Sequence, residues 1–156
     1  MSSVQGKIPG VEDAPYIGAL LRLAHRQVRS RLLQALAERG LGDINEAYFS
    51  LFQYPPIDGM RPAALAKHLG MSKQALNHLL GQLEKLGYLE RRREAGDAHT
   101  TVHLTDRGWL VVESNVATIR ELEAEWSRQL GKRRFADLKA ALQELTGFSR
   151  KIDSTT

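Results

Sequence analysis

The chain has 156 residues, no cysteine and a formal net charge of +4. This length suits one domain, or one domain with added oligomerisation helices, and is enough to bury a hydrophobic core. The absence of cysteine excludes disulfides, thiol nucleophiles and zinc–thiolate sites. No apolar run reaches the roughly 18 residues of a membrane span, and the N-terminus lacks the apolar core of a signal peptide. We therefore expect a cytoplasmic protein that makes no membrane contact.

Positive charge is concentrated in the middle of the chain. Residues 61–109 hold eight Lys and Arg against five Asp and Glu, whereas residues 1–60 are balanced and residues 110–156 carry an excess of one. A basic segment of this kind favours a nucleic-acid partner, because contacts to phosphates release counterions. So modest an excess is equally consistent with the solvated surface of an ordinary domain.

Two helices are predicted after a flexible arm at residues 1–14, which is rich in Ser, Gly and Gln. The first begins at Pro15, has an apolar face at helical period and ends at Gly40. The second begins at Asn45, a good N-cap, and ends at a pair of prolines. We expect residues 15–54 to form a scaffold for dimerisation.

A helix-turn-helix is predicted inside residues 55–108. Its first helix has proline in the first turn, where the missing N–H costs nothing, and stops at Gly70. Ser72 then caps a second helix, Lys73 to Leu86, which has an apolar and a polar side. The polar side faces solvent or a ligand, as in the recognition helix of a DNA-binding motif. The apolar side consists of Ala75, Leu76, Leu79, Leu80, Leu83 and Leu86, and the polar side of Lys73, Gln74, Asn77, His78, Gly81 and Lys85.

A basic hairpin follows the second helix of the motif. Residues 88–94 and 99–104 are predicted to be strands around the turn Ala95-Gly96-Asp97-Ala98. The three consecutive arginines of the first strand, Arg91 to Arg93, alternate in direction, so the middle one faces away from the other two. At most two of them can then reach DNA together, and the third is expected to pair with a carboxylate. A helix-turn-helix with a wing makes double-stranded DNA the expected partner.

Two further helices complete the chain. Thr105 caps the first of them, which runs to Gly131, and the last begins near Lys132. Both helices have an apolar face that is too large for the small winged core to cover. The first helix of the chain also has an apolar face without a cover. An apolar face without a cover in its own chain predicts a twofold homodimer, so residues 105–152 are assigned to dimerisation.

Three segments carry a resemblance to a known family. They are Pro62-Ala63-Ala64-Leu65-Ala66 with Gly70-Met71-Ser72, Leu83-Glu84-Lys85-Leu86-Gly87-Tyr88-Leu89-Glu90-Arg91, and Val102-His103-Leu104-Thr105-Asp106-Arg107-Gly108. Together they resemble the MarR family of transcription regulators, over the chain from Pro15 to Arg150. The resemblance implies a mainly α fold with a small β-wing: a winged helix-turn-helix joined to N- and C-terminal dimerisation helices. It also implies a homodimer that binds a near-palindromic operator and whose affinity for DNA is lowered by a small molecule. We expect a repressor rather than an activator.

The candidates for DNA binding lie on the recognition helix and the wing. Gln and Asn can pair bidentately with adenine, Lys can reach guanine acceptors or phosphate, and groups near a helix N-terminus suit phosphate. The family wing carries Asp-x-Arg at its tip, but here the third position is His99, a weaker and pH-dependent cation. A solvated helix face is the alternative interpretation of the helix residues. The candidates are Arg61, Ser72, Lys73, Gln74, Asn77, His78, Arg91, Arg92, Arg93 and His99.

An effector site is implied by the resemblance alone. The family's pocket lies between the dimer helices and the winged domain, the region that His25, Tyr48, Phe52 and Trp109 are expected to border. A mixed aromatic and polar lining suits a small aromatic acid or phenol. Plain core packing is the simpler explanation of each residue.

Neither catalysis nor metal binding is indicated. The chain has no nucleophile-elbow or phosphate-loop motif and no distinctively spaced carboxylate pair, so we expect neither an enzyme nor a cofactor. The five histidines are too scattered to supply converging metal ligands. The alternative function is a winged-helix protein-interaction module without specific DNA binding, which would account for the modest charge and the missing wing arginine.

Overall fold

The computed structural model describes residues 15–53, 57–93, 95–96 and 98–148. The helices in these residues are α1 (Ile17–Glu38), a 3₁₀ helix (Glu46–Phe52), α2 (Pro62–Leu69), α3 (Lys73–Lys85), α4 (Asp106–Leu130) and α5 (Lys132–Leu145). The strands β1 (Leu89–Arg93) and β2 (Thr100–Leu104) form one antiparallel sheet. The prediction of a mainly α fold with a small β-wing is confirmed. The predicted arm at residues 1–14, the helix end at Tyr54, the wing-tip residue Asp97 and residues 149–152 lie outside the described residues.

The chain divides into two compact units, residues 1–115 and 116–156, and α4 runs through both. The first unit holds a hydrophobic core drawn from α1, the 3₁₀ helix, α2, α3, the wing and the start of α4. Burying one such side chain contributes roughly 1.5–3 kcal/mol. This core therefore fixes α3 and the wing to the rest of the unit. Its most deeply buried members are Leu36, Leu51, Ile57, Leu65, Leu76, Leu80, Leu83, Tyr88, Leu89, Val102 and Val111.

The second predicted helix is a 3₁₀ helix. Asn45 caps it as expected, its side-chain oxygen accepting a hydrogen bond from the Ala47 N–H at 2.9 Å. Side chains three residues apart eclipse one another in a 3₁₀ helix. The four large apolar residues thus form two adjacent columns, and all four are buried: Tyr48 with Leu51, and Phe49 with Phe52.

The helix α3 buries a narrower stripe than predicted. Leu76, Leu80 and Leu83 are buried, and Leu79 is half-buried. The expected burial of Ala75 was wrong, because this residue is exposed. At about 100° per residue, Ala75 lies beyond Leu79 on the margin of the stripe, where the core no longer reaches.

The wing passes into α4 through a tight contact with the end of α3. Thr105 caps α4 as predicted, its hydroxyl oxygen accepting from the Gly108 N–H at 3.2 Å and donating to the Gly87 carbonyl at 2.6 Å. The Thr105 N–H donates to the Tyr88 carbonyl at 3.1 Å. A Cβ on Gly108 would lie 2.1 Å from that same carbonyl oxygen, so only glycine fits there.

Arg107 and Asp43 hold the same contact from two sides. Arg107 donates from Nη1 to the Leu86 carbonyl at 2.7 Å and from Nη2 to the Asp43 carboxylate at 2.9 Å. Its guanidinium lies 4.4 Å from the centre of the Tyr88 ring. The hydroxyl of Tyr88, a fully buried residue, donates to the other oxygen of Asp43. We call Asp43, Tyr88, Thr105, Arg107 and Gly108 the junction cluster.

Apolar side chains stay exposed at both ends of the chain. In the first unit, Ile17 is 70% and Leu20 47% exposed at the start of α1. In the second unit, α5 (Lys132–Leu145) contains no buried side chain, and its Leu145 is 81% exposed. Both helices are among the three whose apolar faces were predicted to lack a cover in the same chain.

Replacing Gly108 by alanine should destabilise the protein, although alanine ordinarily favours a helix. The added methyl group collides with the Tyr88 carbonyl, and overpacking of this kind costs about 1–3 kcal/mol. The matched control is Gly81→Ala in α3, where the nearest atom to a Cβ is Arg91 Nη2 at 3.8 Å. That variant should be stabilised by up to about 1 kcal/mol. Urea unfolding measures both; a stabilised Gly108→Ala would contradict the packing described.

The junction cluster should lose stability at high pH. Burial, together with the hydrogen bond to Asp43 and its negative charge, raises the pKa of Tyr88 to about 12 from its ordinary value of 10.0. The folded state then keeps a proton that the unfolded state releases, so stability is lost as pH rises from 10 to about 12. The loss should approach 2–3 kcal/mol, on the scale of about 1.4 kcal/mol per pKa unit.

Urea unfolding of the wild type and of Tyr88→Phe at pH 9 and pH 11.5 (chosen to bracket most of this range) measures the effect. The stability difference between the two proteins should shrink by about 2 kcal/mol at the higher pH. A difference that stays constant would show that Tyr88 does not titrate in this way.

Candidate nucleic-acid interface

The turn between α2 and α3 has the geometry that the sequence predicted. Gly70 ends α2 in the left-handed conformation, with φ 64° and ψ 29°. Ser72 caps α3, its hydroxyl oxygen accepting from the Ala75 N–H at 3.1 Å. Two short helices joined by a glycine turn, with the second helix capped, form a helix-turn-helix.

The polar side of α3 is free of the core. Lys73, Gln74, Asn77 and His78 are all exposed, and they lie in the first two turns of the helix. The opposite side is anchored by buried leucines. The helix is therefore held firmly while its amide, ammonium and imidazole groups face outward, as base-reading requires.

The wing is supported by a contact that sequence reasoning missed. β1 and β2 pair from Leu89 with Leu104 to Arg93 with Thr100. Val102 in β2 forms a further antiparallel bridge to Met60: the Val102 N–H donates to the Met60 carbonyl, and the Gly59 N–H donates to the Val102 carbonyl, both at 2.8 Å. A single bridging residue leaves no period-two pattern in the sequence, so no signal could have revealed it.

The loop before α2 gives the wing another support. The Leu104 N–H donates to the Asp58 carboxylate at 2.8 Å, and His103 Nδ1 lies 3.7 Å from the same oxygen. His103 Nε2 is 3.0 Å from the Thr101 hydroxyl. The polar face of β2 is thus tied to the chain ahead of the helix-turn-helix.

The three wing arginines have different partners. Arg92 is exposed and pairs with Glu90 on the same face of β1. Arg93 is exposed and donates from Nη2 to the Ala98 carbonyl at 3.4 Å, across the turn of the hairpin. Arg91 instead turns toward α3 and pairs with Glu84. Among the described residues, two of the three arginines pair with a carboxylate, whereas one was expected.

The remaining DNA-binding candidates lie on the surface around these elements. Arg61 is exposed immediately before α2, where Pro62 occupies the first turn. His99 is exposed at the end of the hairpin turn. Both residues lie on the surface of the protein.

The effector candidates are divided between core and surface. Tyr48 is buried and its hydroxyl donates to Gln82 Oε1 at 3.1 Å. Phe52 is buried edge-on against Tyr88, with ring centres 6.0 Å apart. His25 is exposed on α1, and Trp109 is 36% exposed at the start of α4.

Two other kinds of site are not found. Among the residues that the structure describes, no group of three or more His, Asp and Glu side chains is placed to hold a metal ion. Within the same residues, no helix combines the length and apolar character needed to cross a membrane.

Part of this region matches a known protein family. The family model described as "MarR family" matches residues 55–98, which contain α2, α3 and β1. The helix-turn-helix and the first strand of the wing are therefore similar to the MarR family. The search of curated proteins returned no significant match.

Solved structures of MarR-family and other transcription regulators share the fold over most of the chain. A MarR family protein from Mycobacterium tuberculosis, solved in complex with salicylic acid, is 26% identical, with 86% of this chain and 98% of that chain covered and a TM-score of 0.59. The transcriptional regulator Tm0710 from Thermotoga maritima is 25% identical, with coverages of 83% and 91% and a TM-score of 0.57. MepR from Staphylococcus aureus in complex with DNA is 21% identical, with coverages of 85% and 96% and a TM-score of 0.62.

Proposed function

We propose that this protein is a homodimeric, sequence-specific DNA-binding transcription regulator, a repressor whose hold on DNA is released by a small molecule. The observation that carries the proposal is the capped recognition helix, whose exposed polar front stands on a buried leucine stripe beside a wing. The match of this region to the MarR family supports it, as does the likeness of fold to a regulator solved with DNA.

Every DNA-binding candidate except Arg91 is given a direct contact with DNA in this proposal. Gln74 and Asn77 read adenine edges in the major groove, while Lys73 and His78 reach guanine acceptors or phosphate. Outside the groove, Arg61, Ser72, Arg92, Arg93 and His99 contact the DNA backbone or the flanking minor groove.

Dimerisation accounts for the apolar surface that one chain leaves open. Residues 15–54 and 105–152 are proposed to pair with those of a second copy, covering side chains such as Ile17 and Leu145. A twofold dimer places two recognition helices in successive major grooves, about one helical turn apart, which is why the operator is proposed to be near-palindromic.

Replacing Asn77 by alanine should weaken binding to the preferred operator by roughly 1–3 kcal/mol and binding to random duplex by much less. The operator is first obtained by selection from random duplex DNA, and affinities are then measured by fluorescence anisotropy. Arg93→Ala is the control, because loss of a phosphate contact weakens both duplexes alike and lowers the salt slope by about one. An unchanged operator affinity in Asn77→Ala would remove α3 from its proposed role.

The proposed effector is a small aromatic acid or phenol. A relative solved with salicylic acid supports this class, and His25, Tyr48, Phe52 and Trp109 are its proposed contacts. Since Tyr48 and Phe52 are buried, they must shift to admit a ligand, which would couple binding to the packing beneath α3.

Titration with salicylate and a panel of phenolic acids should change tryptophan fluorescence with saturation, because Trp109 is a proposed contact. The same ligand should lower operator affinity, and Trp109→Phe should abolish the optical change while leaving the remaining tryptophan, Trp126, as an internal reference. The absence of a saturable response to any of these compounds would remove this effector class.

The pairing of two wing arginines with carboxylates favours a second candidate function, a protein-interaction module. Arg91 with Glu84 and Arg92 with Glu90 leave less free positive charge for phosphate. Such a module would enrich no DNA sequence in the selection and would show a shallow salt dependence, since protein partners release few counterions.

A further inference from the structure

Arg91 differs from the other wing arginines in what its guanidinium touches. Its Nη2 donates to the carbonyl of Asn77 at 3.3 Å, and its Nε lies 3.5 Å from Glu84 Oε2. The Nε atom is buried, and the side chain is 30% exposed, against 57% for Arg92. The hydrogen bond and the ion pair hold this guanidinium against α3.

The backbone of Arg91 is bound by the same carboxylate. Arg91 stands opposite Val102 in the wing, and Val102 makes its own backbone hydrogen bonds with Met60 and Gly59. The Arg91 N–H consequently points to the outer edge of β1, where it donates to Glu84 Oε1 at 3.3 Å. Glu84 therefore holds both the main chain and the side chain of one wing residue.

The surface of α3 leaves room for the Arg91 side chain to lie across it. Asn77, Gly81 and Glu84 follow one another at helical spacing, so they share one face of α3. Gly81 presents no side chain there, and a Cβ on it would lie 3.8 Å from Arg91 Nη2. The arginine thus crosses α3 above the glycine and ends on the backbone of a proposed base-reading residue.

We propose that Arg91 is a positioning residue that fixes the wing against the recognition helix, with Glu84 as its partner. The wing and α3 then meet DNA as one surface, and the wing does not need to be ordered at the moment of binding. This inference rests on the proposed DNA-binding function, and it gives Arg91 a role other than direct contact with phosphate.

Replacing Glu84 by glutamine distinguishes a positioning role of Arg91 from direct phosphate contact, because the two roles predict opposite changes in operator affinity. Removing a negative charge near a DNA-binding face strengthens binding if Arg91 is simply a phosphate ligand, because repulsion falls and the arginine is released. If Glu84 serves to hold Arg91, the same change loosens the wing, and we expect operator affinity to fall by about threefold to fivefold.

Arg91→Ala and its neighbour Arg92→Ala form the matched pair. Arg91→Ala should weaken operator binding by roughly threefold to tenfold without changing the slope of affinity against salt. Arg92→Ala, which removes an outward arginine of the same strand, should lower that slope by about one. In the double variant Arg91→Ala with Glu84→Gln, the side-chain contact is lost only once, and the glutamine amide oxygen can still accept from the backbone N–H of residue 91. This variant should therefore bind like Arg91→Ala alone.

All affinities are measured well below the unfolding midpoints, with circular dichroism confirming that each variant is folded. A merely structural contact would lower the melting temperature and leave the affinity of the folded protein unchanged, which would overturn the proposal. Tighter binding by Glu84→Gln, or a slope lowered by about one in Arg91→Ala, would also overturn it.

Hydrogen exchange tests the same contact without DNA. In Arg91→Ala the wing amides of β1 should exchange faster, while those of α1 keep their wild-type rates. A wild-type protein that bound no duplex would overturn the proposed function, and the exchange rates would still decide the role of Arg91. Wing amides that exchange at the wild-type rate would overturn the positioning role.

Discussion

The close approach of Gly108 to the Tyr88 carbonyl is the constraint on which the rest of the first unit depends. It allows α4 to begin directly against the residues that end α3, with no side chain between the two backbones. Arg107 is then near enough to bind the last turn of α3 and, through Asp43, the loop that follows α1. Three helices that are distant in sequence acquire one fixed geometry, and the orientation of the recognition helix is a result of it.

The electrostatics around α3 and the wing follow from local pairing more than from net charge. Two acidic residues of the basic segment, Glu84 and Glu90, each form an ion pair with an arginine of the wing. Arg91 and Arg92, two of the eight basic residues in this segment, therefore already have carboxylate partners within the protein. What remains outward on α3 is mainly hydrogen-bonding chemistry, in Gln74, Asn77 and His78. Such a surface is suited to discriminating between base sequences rather than to gripping any polyanion.

The parts of the fold that the sequence could predict are those governed by neighbours in the chain. The caps at Asn45, Ser72 and Thr105 and the left-handed turn at Gly70 depend on a few adjacent residues, and each was predicted correctly. The exposed front of α3 followed from helical period in the same way.

What could not be predicted depends on contacts between distant segments. Nothing near Gly108 in the sequence shows that a carbonyl twenty residues earlier will face it, and the bridge from Met60 to Val102 involves one residue on each side. The direction of Arg91 was predictable from strand alternation, but its partner on α3 was not. Burial of all four large residues in the 3₁₀ helix also depends on what surrounds it.

The absence of any buried side chain in α5 (Lys132–Leu145) has a consequence for the life of the protein in a cell. A helix of 14 residues is close to the length below which an isolated helix is only marginally stable in water. Since α5 buries no side chain, packing against its own chain adds little to its stability. If the protein forms the proposed dimer, a copy without a partner exposes a segment that opens readily, and such segments are where proteolysis begins. Unassembled copies would then be degraded faster than dimers. Because a higher rate of synthesis favours assembly, the concentration of dimer would rise more steeply than the rate of synthesis.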